Sequence, residues 1–153
     1  MKLILPLTIL ALALSLTACS VGAQLVPAGM GPAATVPQDG DLSRADEQGA
    51  VMVEVTPRSL APSAGPLQFD VSMNTHSVDL GMDLASLSTL TTDTGVTVLA
   101  TRWDAPRGGH HVSGTLVFPG TKNGAPFLEG VHELTLTIRD VDATSRIFQW
   151  DLQ

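Results

Sequence analysis

Tyrosine is absent from the 153 residues, aromatic side chains make up only 4%, and cysteine occurs once, at Cys19. A single cysteine excludes an intramolecular disulfide, a Cys-x-x-Cys redox pair and a thiolate metal site, so the fold has to hold by packing alone. Basic residues are scarce as well: eight Lys and Arg stand against 15 Asp and Glu, for a net charge of −7. That balance argues against nucleic acid and against an anionic membrane surface, since each needs a cationic face. Catalytic signatures are missing too, with no Gly-x-Ser-x-Gly elbow, no His-Glu-x-x-His pair and no Gly-rich phosphate loop opening a helix. The expectation is a protein that is not an enzyme.

What is there begins with an address. Lys2 precedes an uncharged run over 3–16, rich in Leu, Ile and Ala, which is too short to cross a bilayer as a helix of about 20 residues. It reads as a signal peptide over 1–18. Its end, Leu16-Thr17-Ala18-Cys19, resembles the bacterial lipobox, which implies that the bond before Cys19 is cut and the cysteine is lipidated. Cleavage leaves 135 residues, and losing Lys2 takes the charge from −7 to −8. Lipid rather than charge would then hold the protein at the membrane, and two or more acyl chains anchor stably where one does not. The residue after the cysteine is Ser20 rather than Asp, which the resemblance makes compatible with export to the outer membrane of a Gram-negative cell, facing the periplasm. The partners expected are the bilayer, through acylated Cys19, and an envelope protein.

From Cys19 to Gly49 the chain carries Pro27, Pro32 and Pro37 among Gly and Ala, with no aromatic residue and no sustained period. Such a segment buries too little apolar surface to offset its ordering entropy and reads as a flexible tether. A chain beginning at Ala50 is accordingly expected to fold as well as the mature protein. From Ala50 to Gln153 short β-type runs alternate with turn residues. Val51, Val53 and Val55 share a face until Pro57 ends the pairing, and Leu67, Phe69, Val71 and Met73 alternate with polar residues. Val78, Leu80, Met82 and Leu84 continue that period. The stretch 85–91 fits either a helical turn or a short strand. Further strands are expected over 96–103, 112–118, 134–139 and 146–152. About seven strands in roughly 100 residues predict an all-β, antiparallel immunoglobulin-like β-sandwich. Phe69, Val71, Leu116, Leu136, Phe148 and Trp150 occupy the apolar phase and form its expected core.

Three groups of residues, Thr75-His76-Ser77-Val78-Asp79-Leu80, Gly108-Gly109-His110-His111 and Arg146-Ile147-Phe148-Gln149-Trp150, together resemble a type of secreted bacterial domain. The resemblance implies a compact domain over most of 50–152 and brings no activity with it.

The four histidines are the residues from which a site could be built, because imidazole is the commonest side-chain metal ligand and suits copper and zinc. Counting strand directions puts His76, His110 and His111 at one end of the sandwich and His132 at the other, provided 78–92 makes one crossing. A metal site of His76, His110 and His111 is one expectation, and adjacent histidines can share an ion only if the turn bends the chain. Met73 and Met82 share faces with core residues and are read as core. A plainer role is open to each histidine: His76 bonding loop backbone, His110 capping a turn, His132 buried beside Leu134. Asp70, Asp79, Asp83 and Asp93 lack calcium-loop spacing and read as solvated. Arg102, Trp103 and Arg107 would give the histidine end an aromatic and cationic character, and loop ends are where sandwich domains bind. A non-catalytic module binding through that end is the leading expectation, and a metal-binding lipoprotein the alternative.

Overall fold

Period-two alternation becomes strand where it finds a partner, and eleven segments do so in the computed structural model, which describes residues 42–153. The leader, Cys19 and most of the expected tether lie outside the described residues. One sheet has the order β1-β2-β3-β7-β6, built from β1 (Arg44–Asp46), β2 (Val51–Pro57), β3 (Leu67–Thr75), β6 (Arg102–Asp104) and β7 (His111–Phe118). The other has the order β11-β10-β4-β5, from β4 (Ser88–Thr92), β5 (Thr97–Leu99), β10 (Glu133–Arg139) and β11 (Ser145–Asp151). A two-stranded ribbon of β8 (Thr121–Lys122) and β9 (Ala125–Pro126) hangs from one end. Every pairing is antiparallel. The fold is the all-β antiparallel sandwich expected, and the connectivity of β2-β3-β7-β6 against β11-β10-β4 is that of the A-B-E-D and G-F-C sheets of an immunoglobulin domain.

No disulfide staples the two sheets, so aromatic and aliphatic packing does that work. Phe69 meets Phe118 edge-on at 5.6 Å between ring centroids, and it meets Trp150 of the opposite sheet at 5.5 Å. All six expected core residues are buried, together with Val53, Val55, Met73, Leu80, Leu84 and Leu90. Burying each large apolar side chain contributes roughly 1.5 to 3 kcal/mol. Met73 is core as expected, and Met82 packs half-buried against it.

Three expectations about elements need correcting. The run 78–84 makes no strand: Leu80 and Leu84 are buried, but the Leu80 backbone bonds to Gly108 and Gly109 instead of a ladder. The stretch after it is both alternatives in succession, a single turn α1 (Leu84–Leu87) capped by Asp83 and then β4. The expected strand over 96–103 is two strands in different sheets. Its break falls where the Ala100 N–H bonds to Ser88 O at 3.2 Å, while the next N–H, of Thr101, bonds to Val117 O at 2.8 Å in the other sheet. Finally, pairing of β2 runs through Pro57 to the bond from Arg58 N to Gln68 O.

The largest correction concerns the domain's beginning. The segment 42–49, assigned to the tether, belongs to the sandwich. Arg44–Asp46 pairs with Val53–Val55, Leu42 packs on the core and its carbonyl accepts the Trp150 indole N–H at 2.6 Å. Arg146, fully buried, pairs with the Asp46 carboxylate and donates to Gln48 O at 2.6 Å and Val141 O at 3.0 Å. Few apolar residues mark this segment, because backbone pairing and one ion pair hold it.

Candidate functional site

Strand β3 ends at Thr75 and β7 begins at His111, in the register Asn74↔His111, so one end of the sheet carries the first two of the three resemblance motifs. Their backbones are laced together. Thr75 N–H donates to His110 O at 2.9 Å, Leu80 N–H to Gly109 O at 3.0 Å, and Gly108 N–H to Leu80 O at 3.3 Å. Asp79 completes the lacing by accepting the Gly109 N–H at 2.8 Å. Gly109 has φ 98°, a conformation that a side chain would strain, which accounts for glycine at that position of the motif. The third motif divides its work: Arg146 is the buried clamp on 46–48, and Phe148 and Trp150 are core.

On the outward face of this end, β2, β3 and β7 place Met52, Asn74 and His111 in one row. Two residues beyond Asn74, and so in the same phase, stands His76. A shallow groove is lined by Glu47, Met52, Asn74, His76 and His111. The His76 and His111 rings lie 6.5 Å apart between centroids at 84°. His111 Nδ1 is 2.8 Å from Asn74 Oδ1; a carbonyl oxygen only accepts, so Nδ1 donates, and in the neutral ring Nε2 is then the nitrogen with the lone pair.

His110 does not join this pair. Successive residues of extended backbone face opposite ways, and His110 occupies the phase of Val112 while His111 faces the groove. Among the described residues no three His, Cys, Asp or Glu side chains converge as a metal site, so the expected site of His76, His110 and His111 is not assembled as such. His132 is at the opposite end, as the strand count predicts, but it is exposed rather than buried. It lies one residue outside β10; its N–H donates to Asp93 Oδ2 at 3.3 Å and its carbonyl accepts from Leu152.

The aromatic and cationic cluster is likewise dispersed. Arg102 pairs with Val117 and Trp103 with Leu116 on the edge strand β6, about 17 to 20 Å along β7 from His111 at 3.4 Å per residue. The sheet switch at Ala100 and Thr101 moves them there. Trp103 is half-buried against the core. Arg107 alone stays near the histidine end, paired at 3.2 Å with Asp83. The aspartates expected to be solvated each have a partner: Asp79 and Asp93 accept backbone N–H groups, Asp83 caps α1, and Asp70 forms an exposed pair with Arg58 at 2.8 Å. The hydrogen bond from Arg58, and then its charge, hold the Asp70 carboxyl below its ordinary range against the opposing effect of burial.

Sequence reasoning passed over Met52 and Asn74. The signal was present: Met52 is the one apolar residue in the outward phase of a strand whose inward phase is Val51, Val53 and Val55. Compared with protein-family models, curated proteins and solved structures, the chain matches none.

Proposed function

We propose that the protein is a non-catalytic, lipid-anchored module of the bacterial cell envelope that binds its ligand through the sandwich end carrying His76 and His111. The observation that carries this reading is the lacing of 75–80 to 108–111, which makes a fixed platform at a loop end, where sandwich domains characteristically bind. The anchor rests on the sequence, on the uncharged run over 3–16 and the cysteine at its end. A second consideration is polarity. Leu42, where the described chain begins, lies beside His132 and Leu152 at the pole opposite the histidine groove. The described chain therefore begins far from the groove.

The test has two arms. Fractionated cells expressing Cys19→Ala should release the protein from washed membranes, and undiminished retention would overturn the anchor. A photoreactive residue at Ser77, beside the groove, should yield a discrete adduct in intact cells, whereas one at Gln149 on the outer face of the other sheet should not. No adduct at Ser77, or the same adduct from both positions, would overturn the assignment to this end.

A further inference from the structure

We infer that the groove is a copper(I) site, in which His111 Nε2, a ring nitrogen of His76 and the Met52 thioether ligate one ion. This deepens the reading above by naming the ligand of the same end of the sandwich. Four observations converge on it. First, the register sets Met52, Asn74 and His111 in one row across three adjacent strands, and His76, just past the end of β3, lines the same groove as Met52 and His111. Second, the imidazole rings are 6.5 Å apart between centroids. Two imidazoles on one ion at about 2 Å per metal–nitrogen bond put their centroids roughly 5 to 6.5 Å apart, the wider value for a nearly linear pair, so a third donor asks the rings to close by about 1 Å. Among the described residues no hydrogen bond holds the exposed His76 ring, which can turn to make that closure.

Third, Asn74 does for His111 what outer-shell partners do for metal-binding histidines. By accepting from Nδ1 at 2.8 Å, it sets the tautomer of the neutral ring in which Nε2 is the ligating nitrogen. Fourth, the third donor is sulfur. Met52 is half-buried in the outward phase, where it fills no core gap, and it lines the same groove. Two imidazoles alone would suit zinc or copper(II) as well, but a thioether selects copper(I) among first-row ions. The domain contributes no cysteine to compete for the metal.

The probe is copper(I) itself, titrated anaerobically into the full-length chain carrying Cys19→Ala, which has no thiol, against a chromogenic copper(I) chelator. The chain should withdraw one equivalent from the chelator, and X-ray absorption at the copper edge should show nitrogen and sulfur scatterers together. Met52→Leu should abolish the sulfur scatterer and weaken copper(I) binding at least tenfold. His76→Ala and His111→Ala should each remove retention against the chelator. Asn74→Ala should weaken it by about ten- to a hundredfold, the range for loss of an outer-shell partner. Unchanged thermal melting of each metal-free variant will show that folding is not the cause. Failure of the Cys19→Ala chain to take copper(I) from the chelator, equal retention by a His76→Ala, His111→Ala double variant, or a sulfur scatterer persisting in Met52→Leu would each overturn the assignment. None of these results touches the cross-linking comparison between Ser77 and Gln149, so failure of the copper site and failure of the binding end are distinguishable.

Discussion

Arg146 is the one charged residue among the buried ones described. A guanidinium out of water is tolerated only when its charge is matched and its donors are filled. Asp46 supplies the charge, and the carbonyls of Asp46, Gln48 and Val141 take three of the four other donors. Burial pushes the Asp46 carboxyl up, but hydrogen bonds from the Gln48 side chain and backbone, with the Arg146 charge and hydrogen bond, outweigh it, and the group titrates below its ordinary value of 3.8. A carboxyl lowered in the folded state stabilises the fold fully above its unfolded value and loses that contribution as pH falls through the folded one. Asp46→Asn should therefore lower stability at neutral pH by on the order of 3 kcal/mol, since the cation is left buried without its counter-charge. The variant should also show a flatter loss of stability below about pH 4 than the unaltered protein, because one lowered carboxylate fewer remains to be protonated. Denaturant melts from pH 3 to 7 check both, and parallel curves of equal height would refute the role given to the pair.

At the scale of elements, β1 and the turn to β2 behave as part of the sandwich although nothing in their composition announces it. Gly49 shows how tightly the turn is seated: it has φ 65°, and a Cβ there would lie 2.4 Å from Asp142 O. A chain beginning at Ala50 would lose Asp46 from Arg146, Leu42 O from the Trp150 indole and the whole pairing of β1 with β2. It should melt well below a chain beginning at Leu42. Overlapping melts of the two would return 42–49 to the tether. Strands β2, β3, β7, β10 and β11 were legible because one face of each is core and the alternation writes that face into the sequence. Equally legible was the end shared by His76, His110 and His111, which follows from strand direction alone. What the pattern could not convey was pairing without apolar marks. Residues 44–46 bury little, 78–84 alternates but finds no neighbouring strand, and 96–103 keeps one period while passing from one sheet to the other. The groove was half legible for a related reason: a histidine invites attention anywhere, whereas the meaning of Met52 depends on which residues stand across the strand from it.

The whole molecule has two poles. At one, the backbones of 75–80 and 108–111 are tied and the histidine groove opens; at the other the described chain begins, among Leu42, Leu60, Leu128 and Leu152. Between the poles the two layers are joined by side-chain packing and by very little backbone. The shortest backbone crossing is at Ala100 and Thr101, whose neighbouring N–H groups are held by Ser88 in one sheet and Val117 in the other. Two adjacent amides thus report on opposite halves of the molecule, with chemical environments otherwise much alike. If the layers separate only in global unfolding, both protons will exchange with deuterium at one common free energy of opening; if the small sheet loosens first, Ala100 will exchange ahead of Thr101. The interleaved aromatics of Phe69, Phe118 and Trp150 favour the common value. A single resolved pair of amide signals, followed over time in heavy water, is in effect a gauge of whether this sandwich opens as one leaf or two.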